Sequence, residues 1–191
     1  MQKPIPTTIA ALCLASWAAL SPVHAADADQ GLARVTELAA PTVKRVALEL
    51  GGKSANILLD DLDDEVLDEA VRAAVSSAFL NSGQTCTAFT RLLVPEARHD
   101  DIVDRVRAEV ETTYTLGDPA TGAGRLGPLI SEGQRARVRA YIQQGIDEGA
   151  TVVTGGPEQP DDLPVGYYVK PTVFADVRND MTIAQEEIFG P

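Results

Sequence analysis

The chain has 191 residues, 45% of them hydrophobic but only 5% aromatic, so it can build a domain-sized core and that core must be aliphatic. Its 28 acidic residues against 16 basic ones give a net charge of −12, which repels phosphate backbones and argues against nucleic acid as a partner. Two cysteines, Cys13 and Cys86, make no disulfide framework, and the only histidines, His24 and His99, offer no zinc spacing. Residues 1–25 have the three-part layout of a secretory signal. Lys3 is followed by an apolar stretch from Ile9 to Leu20, then by Ser21-Pro22-Val23-His24-Ala25, with cleavage expected after Ala25. The stretch is too short to span a bilayer, and Leu12 before Cys13 does not suit a lipoprotein signal. The alternative is an apolar first helix.

Residues 26–31 read as a polar linker. Leu32, Val35, Leu38 and Ala39 repeat at helical spacing, ended before Pro41. Val43 to Leu50 reads as a strand, with Val46, Leu48 and Leu50 alternating around Ala47 and Glu49, and Gly51-Gly52 ends it. Asn56 to Leu59 reads as a short buried parallel strand. Asp60, Asp61 and Asp63 offer helix caps to a repeat running Leu62, Val66, Leu67, Ala70, Val71, Ala74, Val75, Ala78, Phe79, which Asn81-Ser82-Gly83 stops. A strand from Arg91 to Val94 precedes a helix from Asp100 to Thr113 with Ile102, Val103, Val106 and Val110 inward. Leu116 to Leu129 is a Gly/Pro loop. Ser131-x-x-Gln134 is a capping box opening a helix to about Gly149. Thr151 to Thr154 is a strand, and Tyr167 to Val177 a strand pair broken at Pro171. Alternating strands and helices indicate an α/β fold. Gln185 to Pro191 does not read as a domain end, and a final strand-helix closure of the open sheet is expected beyond it.

Two residues stand out chemically. Cys86 follows a polar turn at the end of an apolar helix, where a thiol can be accessible and reactive. The competing reading is a buried small hydrophobe. Glu49 lies between two leucines in an apolar strand, where burial would raise its pKa and make it a base near neutral pH. The competing reading is an outward-facing strand residue in water. Gly122-Ala123-Gly124-Arg125-Leu126-Gly127 spells a dinucleotide-loop pattern, but it follows Gly117-Asp118-Pro119 and runs into Pro128. The strand-turn-helix setting of a pyrophosphate loop is missing, so it reads as a surface loop.

Leu48-Glu49-Leu50-Gly51-Gly52-Lys53-Ser54 resembles the glutamate motif of aldehyde dehydrogenases, and Asn81-Ser82-Gly83-Gln84-Thr85-Cys86 resembles their cysteine motif, in the right order. The resemblance continues through Gly127-Pro128-Leu129-Ile130, Gly155-Gly156, Gly166 to Phe174 and Glu186-Glu187-Ile188-Phe189-Gly190-Pro191, covering about residues 32–191. It implies a partial aldehyde-dehydrogenase-like α/β fold. Residues 32–50 would end a Rossmann-type cofactor domain, and residues 51–191 would form most of an α/β catalytic domain.

The implied chemistry is oxidation of an aldehyde to a carboxylic acid with NAD or NADP. Cys86 would be the nucleophile, through a thiohemiacetal and a thioester, and Glu49 the base that activates water. The Cys86 backbone N–H would help hold the oxyanion. The resemblance places Leu50 and Gly51 on the nicotinamide side, Glu187 at its ribose, Phe189 beside the ring and Gln134 near the ribose. NAD and NADP stay open, because the strand end that reads the 2′ position falls outside the segment. Family enzymes are longer. Their front half carries the cofactor-holding lysine and glycine loop, and later segments carry the oligomerisation strand.

Three functional readings follow: a truncated dehydrogenase active only when complemented, an inert fragment, or a cofactor-independent thiol esterase. The implied partner is a small aldehyde, with no nucleic acid, and no membrane after signal removal. The family forms homo-oligomers. The signal-like start points to a secreted or periplasmic protein, whereas the family expectation is cytoplasmic.

Overall fold

In the computed structural model the described residues are 25–191, with side chains from residue 31 onward. The signal-like segment, with Cys13 and His24, lies outside them. The chain divides after Glu49, and the larger unit spans Leu50–Pro191.

In the first unit, helix α1 spans Ala25–Ala39. It runs through the residues expected to form a linker, whose alanines 26 and 28 are strong helix formers. A 3-10 turn, Ala40–Thr42, follows, with Pro41 in the first turn where no amide donor is needed. Val43 ends it in the left-handed region, at φ 50°. The strand expected from Val43 to Leu50 does not form. Alternation describes which face of a strand is apolar, but a strand exists only where a neighbour accepts its backbone hydrogen bonds. No described strand pairs with these residues, and Leu48 and Leu50 stay 48% and 61% exposed.

The second unit opens with a β-α-β element. Strand β1 (Ala55–Ile57) leads to helix α2 (Asp64–Phe79) and then to β2 (Arg91–Leu93), which pairs parallel to β1 with Ala55 opposite Arg91. The Asp63 carboxylate accepts from Val66 N at 2.9 Å, capping α2, and Asp64 and Glu65 complement the positive end of its dipole. Helix α3 (His99–Thr113) packs beside α2. Leu67, Val71, Val75 and Phe79 of α2 meet Ile102, Val106 and Val110 of α3 in one aliphatic core, joined by Leu58 and Leu126. Phe79 and Tyr114 set their rings 5.3 Å apart within it. Val66, expected inward, is exposed beside the cap. Arg98, just before α3, and Arg105 within it reach Asp64 of α2, and Arg105 also reaches Asp68.

The Gly/Pro loop after α3 is closed at its base. Leu116 bridges Leu126, and Gly117 N donates to Leu126 O at 3.0 Å. Gly117 and Gly124 lie so close there that a Cβ on Gly117 would overlap the Ala123 carbonyl, and one on Gly124 the Gly117 amide.

Helix α4 (Glu132–Asp147) follows, capped by Ser131, whose hydroxyl accepts from Gln134 N at 3.2 Å. Strand β3 (Thr151–Thr154) pairs antiparallel with β4 (Val173–Ala175). The strand expected earlier, at Tyr167 to Lys170, is irregular. Tyr167 O accepts from Leu129 N and the Tyr168 hydroxyl donates to Gly117 O, so these residues bind loops instead of a neighbouring strand. The short helix α5 (Thr182–Gln185) ends the regular structure. Leu129, Val138, Ile142 and Val169 form a second core beneath α4. Among the described residues no helix is long and apolar enough to cross a membrane.

Candidate active site

Cys86 sits where α2 gives out. Leu80–Gly83 forms a 3-10 turn in which Asn81 and Ser82 both adopt left-handed backbone, at φ 53° and 55°. The turn is tied internally: Gln84 N donates to Asn81 O, and Thr85 Oγ1 donates to Leu80 O. It is also tied outward, because Ser82 Oγ donates to Gly127 O and Gln84 Oε1 accepts from Ile130 N. Cys86 then enters a turn closed by Ala88 N donating to Thr85 O. Its thiol is free and exposed, which rules out the buried-hydrophobe reading. The Cys86 N–H makes no hydrogen bond among the described residues. One residue therefore presents a nucleophile and an unused amide donor together.

Gly51 and Gly52 lie against this turn and against Glu187. A Cβ on Gly52 would stand 2.7 Å from Cys86 O, so only glycine lets the two backbones approach this closely. Gly52 N donates to Glu187 Oε1 at 3.0 Å. A Cβ on Gly51 would overlap the same carboxylate. Glu187 is thus fixed on bare Gly51-Gly52 backbone, with its second oxygen able to accept further hydrogen bonds. Lys53 is next in the chain. Burial pushes its ammonium down to about 8, the Arg91 cation pushes the same way, and the Glu187 carboxylate opposes both.

The Glu186–Gly190 segment leans on α4. Gln134 Nε2 donates to Phe189 O at 2.7 Å and to Ile188 O at 3.3 Å. Arg137 Nη2 donates to Glu187 O at 3.0 Å, and its guanidinium lies 5.2 Å from the centre of the Tyr141 ring. The Tyr141 hydroxyl donates to Glu186 Oε2, and burial together with that bond pushes its pKa up to about 12. Gly190 packs on Val138, and a Cβ on Gly83 would overlap the Gly190 carbonyl. The cysteine turn and the Glu187–Phe189 segment are therefore in direct contact.

Of the residues singled out in the sequence, Gly51, Cys86, Gln134, Glu187 and Phe189 fall in one unit, linked through Gly52, Gly83 and Gly190. Leu50 begins that unit and is exposed. Glu49 ends the other unit and is exposed, not desolvated between its leucines as expected, because no strand covers that stretch. Sequence reasoning missed Arg137 and Tyr141. Their spacing from Gln134 puts all three on one helix face, a signal that was there to read. A shallow concavity of about 680 Å³, lined by Tyr114, Asp118, Thr154 and Lys170 among others, includes none of these residues.

Comparison with known proteins gives the family. The model of the aldehyde dehydrogenase family matches residues 30–191. A 3-succinoylsemialdehyde-pyridine dehydrogenase from a Pseudomonas species is 48% identical over 157 residues, covering 82% of this chain and 32% of that protein. An aldehyde dehydrogenase from Pseudomonas syringae, solved with NAD+ and octanal, superposes with a TM-score of 0.78 at 46% identity, over 85% of this chain and 33% of that one. The Mycobacterium tuberculosis aldehyde dehydrogenase solved with NAD+ gives 0.75 at 49% identity, over 83% and 32%. The chain spans about a third of the length of these relatives. With the cysteine turn, the paired glycines and the Glu187–Phe189 segment joined in one site, and a family match over 30–191, the chain belongs to the aldehyde dehydrogenase family.

Proposed function

We propose that this chain carries the thiol chemistry of NAD(P)-dependent aldehyde oxidation. The observation that carries the reading is the exposed Cys86 thiol beside its own unused N–H, on a turn in contact with Gly52 and, through Gly83, with the Glu187–Phe189 segment. The Cys86 thiolate attacks the aldehyde carbon, and the Cys86 N–H donates to the oxygen that becomes negative. Leu50, Gly51, Glu187 and Phe189 would hold the nicotinamide end of NAD(P), which would supply the hydride acceptor and so leave the acyl group as a thioester on Cys86. The resemblance gives Glu49 the role of base, which would take a proton from the water that attacks the thioester carbon, so that the acid leaves and the Cys86 thiolate re-forms.

The residues present fit the nicotinamide end of such a cofactor. Glu187 rests on the Gly51-Gly52 backbone and keeps acceptor capacity for a ribose diol. Phe189 would lie beside the ring, and Leu50 near it. The Gly122–Gly127 loop does not fit a pyrophosphate, because it opens no helix and the Gly124 backbone is packed against Leu116 and Gly117.

The purified chain should produce NADH or NADPH from an aliphatic aldehyde, and Cys86→Ala should abolish it. Folded protein that neither reduces nor binds either nucleotide overturns the reading. A second reading, ester cleavage through Cys86 alone, is favoured by the thiol and N–H sharing one exposed turn. It requires an acylation burst with an activated ester in the absence of nucleotide.

A further inference from the structure

Phe189 is a bulky residue in the left-handed region, at φ 62°, a conformation that persists only where the surroundings enforce it. Two contacts enforce it. On one side, the Gln134 amide grips the carbonyls of Ile188 and Phe189. On the other, Gly190 is wedged between Val138 and Gly83. Gln134 is the third residue of α4, where a capping box would send its side chain back to Ser131. Only half of that box forms: Ser131 Oγ accepts from Gln134 N, while the Gln134 side chain turns to the Phe189 segment. Both bonds of that side chain to the segment use Nε2 as donor.

We propose that Gln134 is a positioning residue: its side-chain NH2 locks Phe189 in the left-handed conformation and so holds Glu187 on the Gly52 amide and Gly190 on the cysteine turn. In this role it acts through the Ile188 and Phe189 carbonyls. The inference rests on the reading of Glu187 and Phe189 as the nicotinamide-side residues, but its central claim concerns the donor and can be tested without turnover.

The test uses the whole 191-residue chain carrying Gln134→Ala, Gln134→Glu or Gln134→Lys. Glutamate keeps the length and acceptors of glutamine but removes the donor. Lysine keeps a donor and removes the acceptor. The readouts are amide exchange at Gly52, whose N–H is held by Glu187, and NAD+ affinity. Loss of the lock should speed Gly52 exchange about tenfold in the Ala and Glu variants, the scale of one hydrogen bond, with Lys close to wild type. NAD+ affinity should follow the same order. A Glu variant with wild-type exchange and wild-type NAD+ affinity overturns the proposal. If the wild-type chain binds no NAD+, the proposed function fails. The exchange comparison still decides this inference, and unchanged exchange in both the Ala and Glu variants rejects it. Thermal melting of the Lys variant at the wild-type temperature separates loss of the lock from loss of the fold.

Discussion

Replacing Gly83 by alanine tests whether the cysteine turn and the Glu187–Phe189 segment are packed as one piece. Gly83 has φ 73°, and an added Cβ would overlap the Gly190 carbonyl and stand 2.8 Å from Pro191 N. Gly122 provides a matched control, with φ 71° and nothing within 4 Å of an added Cβ. Alanine in left-handed backbone costs about 1–2 kcal/mol, and a stiffer unfolded chain returns roughly 0.4–1 kcal/mol. Gly122→Ala should therefore cost about 1 kcal/mol. Gly83→Ala carries the same backbone cost plus overpacking of about 1–3 kcal/mol, because the obstacle is backbone and cannot swing aside. Urea denaturation followed by circular dichroism gives both values, with unchanged m-values confirming that the denatured states are comparable. Equal losses in the two variants would refute the packing argument, since backbone conformation alone would then account for both.

Other outcomes follow from the same structure. Leu67→Ala, at a side chain 1% exposed in the α2–α3 core, should lower stability by about 2–5 kcal/mol in the same urea assay. Gly52→Ala should change the alkylation rate of Cys86, because the new Cβ meets the Cys86 carbonyl, whereas Gly31→Ala, in open space, should leave it unchanged. Lys53 should give a pH signature. Its folded pKa, about 8, lies below its ordinary 10.5, so between those values the unfolded chain holds more protons. Stability should rise with pH across that window in wild type, and Lys53→Met should flatten the rise. Arg105→Lys should weaken the α2–α3 contact most at low salt, because guanidinium geometry serves Asp64, Asp68 and Asp101 together; melting compared at low and high salt checks it.

What the sequence revealed depended on the range of the forces involved. Helix α2 was legible because its period, its Asp63 cap and its Asn81-Ser82-Gly83 stop are all local. The parallel pairing of β1 with β2 needed only one intervening helix and was implied by the alternation of elements. The stretch Val43 to Leu50 misled because alternation does not supply a hydrogen-bonding neighbour. Tyr167 to Lys170 misled because its backbone and side-chain groups bind loops distant in sequence. The environment of Glu49 followed from that same missing neighbour. At the site, residue type and position marked Cys86 and only the resemblance marked Glu187, but side-chain direction decided what Gln134 does. The capping pattern Ser131-x-x-Gln134 is satisfied in the sequence and only half used in the fold. The left-handed backbone of Phe189 has no local cause, since it is imposed by α4 and by Gly83.

The loop between α3 and α4 closes on itself, with Leu116 meeting Leu126 and the backbones of Gly117 and Gly124 in contact. Everything beyond that closure, from Asp118 to Ala123, is exposed and touches neither core. The tip is therefore mechanically insulated. A short peptide tag or reporter inserted after Thr121 would hang from a closed neck and leave the cysteine turn undisturbed. The loop thus offers a place from which to watch or immobilise the protein without approaching its chemistry.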